Sequence, residues 1–178
     1  MALPVEAIID RRWARSLRRF ADGGKVRYWI NGRARRLDDG TRAEAISRQE
    51  ANVIRATFAD VDRLTGLRLV EKRNRSNTQI DLFRIGDYGE EGLLGQTTKR
   101  KGWFEISWEN RGGNRVTKSE RWTITHEIGH ALGLDHPYGR PNSRRWDTSD
   151  TIMSYNRSSN TSFSPTDVAA LQELWGIA

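Results

Sequence analysis

Hydrophobic positions near the start of the chain recur at a helical interval. They lie three or four residues apart with arginines mostly between them, at Val5, Ile9, Trp13, Leu17 and Phe20. A helix with this spacing carries its apolar side chains on one face, so the pattern predicts a basic amphipathic helix. The "DGG" break at residues 22–24 ends this helix, and the alternation in the "KVRYWIN" segment that follows predicts a strand.

A second, longer helical pattern begins and ends at recognisable signals. Ser47 and Glu50, three residues apart, form a capping-box pattern, and Gly66 is a typical helix stop. The apolar stripe between them consists of Ile54, Phe58, Val61 and Leu64. Four later segments predict strands, namely "LRLVEK", "IDLFRI", "LLGQTT" and "WFEISWEN".

Two further helices are predicted toward the C-terminus. Thr117 and Glu120 repeat the capping-box pattern ahead of "THEIGHALG", and Ser164 caps a short final helix, "SPTDVAALQELWG". The order of elements predicts an α/β (α+β) fold with a twisted mixed sheet of about five strands, a long backing helix and a second helix. A small loop-rich C-terminal subdomain then ends in a helix. We expect three parts, which are a basic N-terminal arm (1–22), an N-terminal subdomain (23–136) and a C-terminal subdomain (137–178).

The positive charge of the chain is concentrated near its N-terminus. Residues 1–36 hold ten Lys or Arg and three Asp or Glu, which accounts for the whole net charge of +7. A nucleic-acid-binding body would normally carry its own basic face, so the distribution argues against nucleic acid or a membrane as a partner of the body. The arm could lie on a membrane, on nucleic acid or on protein. We favour docking on its own domain or on a partner protein or assembly.

The sequence does not fix a compartment. No apolar run approaches the roughly 18 residues that span a bilayer, and Glu6 and Asp10 interrupt the N-terminal stretch. We therefore expect neither a transmembrane segment nor a signal peptide, which leaves a leaderless route of secretion and a place in a larger assembly open. The lack of cysteine excludes disulfides, a thiolate metal site and a thiol nucleophile.

All three histidines lie within eleven consecutive positions, in "HEIGHALGLDH". His126 and His130 are four apart on the predicted helix, so their imidazoles project from the same face and can bind one zinc ion. Gly133 can take the left-handed conformation that ends a helix, which lets the chain turn back and bring His136 to the metal. Three protein ligands leave the fourth position to water, as in a catalytic zinc site.

Glu127 follows the first histidine at the edge of the same helical face. It is placed to touch a water at the open position but not to ligate the metal. Zinc lowers the pKa of such a water toward about 7 and polarises a carbonyl group. We expect Glu127 to act as the general base and then to protonate the leaving amine, so that a peptide bond is cleaved.

The motif resembles the H-E-x-x-H-x-x-G-x-x-H signature of the metzincin metalloproteases, closest to the serralysin and matrixin-like catalytic domains. "TIMSYN" is similar to their Met-turn, and the resemblance implies that Met153 forms an apolar floor under the zinc. It also implies that Tyr155 reaches the zinc and stabilises the tetrahedral intermediate; the alternative is a tyrosine packed in its loop. The fold predicted above is accordingly expected to be of metzincin type, with the "THEIGHALG" helix as its active-site helix.

The same resemblance implies an edge strand along which a peptide substrate would lie extended. The order of elements assigns it to Leu93, Leu94, Gly95, Gln96, Thr97 and Thr98, with an ordinary sheet strand as the alternative. We expect one catalytic zinc, because no histidine is left for a second site. Serralysins bind calcium in a repeat domain, and this sequence shows no such repeat. We leave calcium binding open, although no motif indicates it. By analogy, Asp10 or Asp22 could block the zinc, although we favour solvated carboxylates.

The interpretation that these residues favour is a zinc-dependent endopeptidase acting on a protein or peptide substrate. One rival is a structural or assembly component of a larger particle or complex, with or without proteolytic activity. A second rival is a peptide-binding module that holds zinc but cleaves nothing. Glu127 argues against a purely structural use, because a scaffold does not need that carboxylate.

Overall fold

The computed structural model describes residues 2–178. Four α-helices are formed, by Arg11–Phe20 (α1), Arg48–Leu64 (α2), Lys118–Ala131 (α3) and Pro165–Trp175 (α4). Short 3-10 turns lie at Val5–Ile8 and Pro137–Gly139. The seven strands are Lys25–Ile30 (β1), Arg35–Arg36 (β2), Arg42–Glu44 (β3), Arg68–Glu71 (β4), Ile80–Ile85 (β5), Gly95–Lys99 (β6) and Phe104–Glu109 (β7).

All seven strands belong to one mixed sheet. Strand β5 lies at its centre, parallel to β1 on one side and to β7 on the other, and β4 extends the sheet parallel to β1. The short β2–β3 hairpin pairs with the end of β5 through Ala43 and Glu44. Strand β6 pairs antiparallel with β7 and with no other strand of residues 2–178, so β6 is an edge of the sheet.

The sequence-based count of about five strands is wrong. The structure adds β2 and β3, which have two and three residues and consist mostly of arginine. Strands this short cannot show the alternation of apolar and polar residues from which strands are predicted. The edge strand also begins later than expected: Leu93 and Leu94 precede β6.

Helices α2 and α3 pack on the sheet through their apolar side chains. Ile54, Phe58 and Val61 of α2 are almost completely buried, and the Phe58 ring lies 4.3 Å from the Tyr28 ring of β1, between centroids. Burial of each such side chain stabilises the fold by about 1.5–3 kcal/mol. Helix α3 contacts β6 and β7, so it lies behind the edge of the sheet.

Three of the helices begin with a complete capping box. The pairs are Ser47 with Glu50 in α2, Thr117 with Glu120 in α3 and Ser164 with Asp167 in α4. In each, the hydroxyl accepts a hydrogen bond from the third residue's N–H, and the carboxylate accepts one from the capping residue's N–H. A cap of this kind contributes about 0.5–2 kcal/mol and sets the first residue of the helix. The start of α3, and with it the direction of its histidines, is fixed in this way.

The N-terminal segment packs on its own domain, at the C-terminal end of α3. The backbone N–H of Asp10 donates to the carbonyl of Gly133 at 2.8 Å, and Ile9 forms a β-bridge with Leu134. The Trp13 ring stacks on the Phe104 ring at 5.0 Å between centroids, and Leu17 is fully buried. The apolar face of α1 is thus covered by the domain, whereas the division of the chain after residues 22 and 136 stays a prediction.

No helix within residues 2–178 is both long enough and apolar enough to span a bilayer.

Candidate metal centre

Helix α3 brings the first two histidines together. His126 and His130 lie one turn apart on the helix, with ring centroids 4.8 Å from each other, and His126 is almost completely buried. The His126 ring is buried, whereas His130 is partly exposed. The two imidazoles therefore project from the same face of α3, as their four-residue spacing predicts.

Gly133 turns the chain so that the third histidine returns to the same place. Its φ of +97° lies in the left-handed region, and a Cβ there would come 2.8 Å from the Cβ of Ala14 in α1. The residue is therefore held to glycine both by its backbone angle and by the close approach of the N-terminal helix. The ring of His136 then lies 4.8 Å from that of His130 and 5.3 Å from that of His126, between centroids.

Hydrogen bonds orient two of the three rings. Nδ1 of His126 lies 3.0 Å from the carbonyl oxygen of Ile152, and Nδ1 of His130 lies 3.0 Å from that of Leu134. Because a carbonyl oxygen only accepts, Nδ1 is the protonated nitrogen in both rings and Nε2 carries the lone pair. This is the tautomer that a metal ligand of this kind needs.

Two of the other ring nitrogens have no partner among residues 2–178. Nε2 of His126 and Nε2 of His136 are buried without a hydrogen bond among the described residues. One ligand atom from each of the three histidines falls in a group whose members all lie within 4.8 Å of one another. Buried polar atoms are rarely left unpaired, so three converging imidazoles fit a metal ion that prefers nitrogen ligands, such as zinc.

The environment keeps the three rings neutral. Burial lowers the pKa of His126 well below its ordinary value and that of His130 to about 4, and in both the repulsion between two protonated histidine rings would add to the effect. Burial also lowers the pKa of His136. Neutral imidazoles at pH 7 leave their lone pairs available for a metal.

Glu127 lies beside the histidines with its carboxylate against the edge strand. The Thr97 hydroxyl in β6 lies 2.8 Å from Oε2 of Glu127 and 2.9 Å from the Glu127 carbonyl oxygen. Burial raises the pKa of Glu127 to about 7, and the hydrogen bond from Thr97 acts in the opposite direction. A carboxyl group with a pKa near neutrality is suited to accept and return a proton.

The close approach of β6 to Glu127 depends on Gly95. A Cβ built on Gly95 would lie 2.4 Å from Cγ2 of Thr123 and 2.9 Å from Cγ of Glu127. Any side chain at this position would push the strand away from α3 and draw Thr97 away from the carboxylate. Gly95 and Thr97, assigned from the sequence to a peptide-binding edge, thus also shape the surroundings of the candidate base.

The buried carboxylate makes a testable difference to stability. With the protein free of metal, Glu127→Gln should raise the free energy of unfolding near pH 8 by about 3 kcal/mol, because the folded pKa of Glu127 is about 7 and the ordinary value is 4.5. Because the folded pKa is the higher one, Glu127 does not reduce the free energy of unfolding of the parent protein below the unfolded pKa of 4.5. That free energy falls as the pH rises from there through 7, where the buried carboxyl group loses its proton. The gain should therefore shrink on acidification and vanish near pH 4.

Urea unfolding in a chelator at several pH values measures this difference. Glu90→Gln, which removes a carboxylate from an exposed loop, is the matched control and should show no such trend. A Glu127→Gln protein that is no more stable than the parent near pH 8 would contradict a buried, destabilised carboxylate.

The loop segment with the second methionine packs directly against α3. Met153 is fully buried, and a Cβ on Gly129 of α3 would lie 2.7 Å from its sulfur atom. The Asp167 carboxylate of α4 holds this segment by accepting hydrogen bonds from the Thr151 hydroxyl and, at 2.8 Å, from the Ile152 N–H. Ile152 in turn accepts from His126. The sequence marked Ser164 as a cap, but it carried no signal that Asp167 supports His126 through the Ile152 segment.

Tyr155 lies at the open side of the histidine cluster. Its ring centroid is 5.0 Å from that of His136 and 5.5 Å from that of His126, and the residue is 45% exposed. Burial of the inner part of the ring, followed by the charge of Glu127, raises the pKa of its hydroxyl, which therefore stays protonated at pH 7. A protonated phenol can donate a hydrogen bond to an oxygen that develops negative charge.

The two aspartates considered as zinc-blocking groups have other partners. Oδ1 of Asp10 accepts hydrogen bonds from the N–H groups of Arg12 and Trp13 and so caps α1. The Asp22 side chain is 78% exposed and lies 3.5 Å from the guanidinium of Arg27. In this structure neither carboxylate is bonded to the histidine cluster.

By sequence, the chain matches part of a known protein. The chain is 38% identical over 65 residues to serralysin A of Dickeya chrysanthemi, a match that spans 33% of this chain and 14% of that protein. No family model matches the chain. The sequence likeness to a serralysin is therefore local.

The comparison of structures covers almost the whole chain. The fold is similar to a chain in the GM1-bound form of the ECX AB5 holotoxin, with a TM-score of 0.56 and 15% sequence identity. The match includes 98% of this chain and 86% of that chain. At this identity the likeness concerns the fold alone.

This match corrects the fold class expected from the sequence. The α/β arrangement is present, but this solved structure with a similar fold is described as an AB5 holotoxin and not as a metzincin. The expectation rested on the order of the predicted elements between about Val26 and Trp175, on an eleven-residue motif and on a short turn. Such a motif determines a helix, a turn and the positions of three side chains, but it does not determine how the strands of the sheet are ordered or how many there are.

Proposed function

We propose that the protein is a zinc-dependent endopeptidase, with His126, His130 and His136 as the metal ligands and Glu127 as the general base. The observation that carries the proposal is the convergence of three neutral imidazoles, two of them with buried and unpaired Nε2 atoms, beside a buried carboxylate. A metal-binding site without a catalytic role would not require that carboxylate. The local likeness to serralysin A supports the same reaction.

Each residue of the site has its own role in the proposed reaction. A bound zinc ion would supply a Lewis acid that polarises the peptide carbonyl and lowers the pKa of water. Glu127 takes the proton of the attacking water at its carboxylate and delivers it to the nitrogen of the leaving amine. Thr97 holds that carboxylate at the wall of the cleft, and Met153 supports α3 from behind.

The edge strand β6 would hold the substrate. Its outer side is unpaired among the described residues, and an extended peptide can add to such an edge through main-chain hydrogen bonds. Gln96 and Thr98 alternate with Thr97, whose side chain is turned toward α3. Leu93 and Leu94 approach the cleft from the segment before the strand.

A digest tests the proposal directly. Protein loaded with one equivalent of zinc should cleave an unfolded protein such as reduced casein, and the same protein treated with phenanthroline should not. Zinc added back should restore cleavage. A purified, folded and zinc-loaded protein that cleaves none of a broad set of unfolded proteins would contradict the proposal.

Tyr155 is proposed to stabilise negative charge on the carbonyl oxygen as the water attacks. Tyr155→Phe should then lower kcat about 10–100-fold and change KM little, because the hydroxyl would act mainly in the transition state. The matched control is Tyr138→Phe, which removes a hydroxyl from the exposed Pro137–Gly139 turn and should leave both constants unchanged. An unchanged kcat in Tyr155→Phe would remove this tyrosine from the reaction.

A second candidate function is that of a component in a larger assembly. It is favoured by the likeness of nearly the whole chain to part of a holotoxin. The two functions are compatible, since a peptidase can belong to an assembly. The two functions can be told apart if the zinc-loaded protein proves inactive, because a component of an assembly does not need the Glu127 carboxylate.

A further inference from the structure

Two recesses flank Glu127 along the edge strand. One, here called the Trp122 pocket, opens beside the first turns of α3 and has a volume of about 210 Å³; Trp122, Tyr155 and Arg157 line it together with residues 92–95. The other, here called the Trp13 pocket, opens toward the end of α3 and has a volume of about 260 Å³. Gly95, Glu127 and Tyr155 border both. A peptide lying along β6 would therefore place one side chain in each pocket.

The Trp122 pocket carries a positive charge without a matching negative one. The guanidinium of Arg157 lies 4.2 Å from the centroid of the Trp122 ring, and its Nη1 donates to the Ser119 hydroxyl at 2.8 Å. Among residues 2–178, Arg157 forms no ion pair with a carboxylate. The positive charge of Arg111 is also near enough to lower the pKa of the Arg157 guanidinium, in addition to the larger effect of burial.

The only carboxylate that borders this pocket in the described structure is Glu127. One of its oxygens is hydrogen-bonded to Thr97, and the proposed reaction uses this group as the base. It is therefore not a counter-ion for Arg157. A guanidinium stacked on an aromatic ring keeps several N–H groups free in a planar array, which suits a carboxylate.

The Trp13 pocket has the opposite character. Asp10 and Asp135 border it, and no Arg or Lys does so. An acidic side chain placed there would meet these two aspartates in addition to Glu127, whereas a basic one would be attracted. The two ends of the cleft thus differ in charge, and an acid is favoured at one end only.

From this arrangement we infer that the cleft selects peptides with an aspartate or glutamate next to the scissile bond, on the side that enters the Trp122 pocket, where Arg157 binds the carboxylate. The inference rests on the proposed peptidase function and adds a substrate class to it. The pocket is large enough for such a side chain, since 210 Å³ corresponds to several water molecules at about 30 Å³ each.

Sequencing of the products tests this inference. The zinc-loaded protein is incubated with reduced casein and with a tryptic peptide mixture, and the residues on both sides of every cut are identified by mass spectrometry. Aspartate and glutamate should be enriched about fivefold or more at one of the two positions next to the cut, as expected for a charge-assisted hydrogen bond in a half-open pocket. They should not be enriched at the other.

Variants of Arg157 connect the preference to this side chain. Arg157→Glu should abolish the acidic preference and favour lysine or arginine at the same position, whereas Arg157→Lys should keep a weaker acidic preference. Arg35→Glu is the matched control: Arg35 also stacks on a tryptophan, Trp29, with its guanidinium carbon 4.7 Å from the ring centroid, but it lies in β2, away from the cleft. It should leave the preference unchanged.

The outcomes separate this inference from the function on which it rests. Cuts without an acidic preference, or a preference that persists in Arg157→Glu, overturn the role of Arg157 and leave the peptidase intact. A complete absence of cuts overturns the proposed function and the inference with it. A second measurement uses Glu127→Gln, in which a cut peptide found above should bind about fivefold more weakly when its acid is replaced by the corresponding amide.

Discussion

Glu127→Gln should lower the rate of peptide hydrolysis by about 10²–10⁴-fold while the zinc content stays near one ion per chain. Glutamine has nearly the same shape as glutamate and can still accept a hydrogen bond from Thr97, which lies 2.8 Å from Oε2. It cannot take a proton from water at neutral pH. Because the imidazole ligands are untouched, the variant separates the loss of a base from the loss of the metal.

Three measurements on the same preparation decide this prediction: metal content, kcat/KM on a peptide obtained from the casein digest, and the circular dichroism spectrum. Glu90→Gln controls for the removal of a carboxylate from the chain and should keep full activity. If Glu127→Gln retains more than about a tenth of the parent activity with its zinc in place, Glu127 is not the general base.

The position of Glu127 relative to the histidines could be predicted from sequence because these residues are close together in the chain. His126, Glu127 and His130 lie on one helix, and the pitch of a helix fixes which side chains share a face. The position of His136 needed only one further assumption, that Gly133 reverses the chain. The φ of +97° at Gly133 shows that the chain turns there. Four side chains within eleven residues thus follow from backbone geometry alone.

The surroundings of these side chains could not be predicted in the same way. Thr97 meets Glu127 across thirty positions of sequence, and Asp167 supports His126 through Ile152. Both contacts depend on how β6 and α4 are placed against α3, which is a result of packing and not of local pattern. Arg157 is a further case. Its charge lies at the pocket because Trp122 and Ser119 hold its guanidinium there, and the sequence shows neither contact.

The N-terminal helix shows the same limit on a larger scale. Its apolar stripe was evident from sequence, but the surface that would cover that stripe was not. In the structure Trp13 stacks on Phe104 and lies 6.3 Å from the His130 ring, between centroids, so the arm forms part of the wall of the cleft. A pattern of charges and apolar residues indicates that a helix has a face to bury, whereas only the assembled sheet shows where.

Loss of a single imidazole should remove the metal and with it all cleavage. His136→Ala should weaken zinc binding by more than about 100-fold, because even the loss of an outer partner of a ligand lowers affinity about 10–100-fold. His136 is the best choice for substitution, since its side chain is 19% exposed and its removal leaves the buried core around His126 intact. Competition with a chromophoric chelator measures the affinity, and the casein digest measures the activity.

The chain contains no fourth histidine, so a control of another type is required. Asn142→Ala lies on the surface of the same loop region and should change neither affinity nor activity. A cation held by carboxylates elsewhere in the protein would survive the loss of His136, and so would a peptidase that needs no metal. Zinc bound one to one with unchanged affinity in His136→Ala would therefore separate the metal from the three histidines, and Glu127 would then have no activated water to deprotonate.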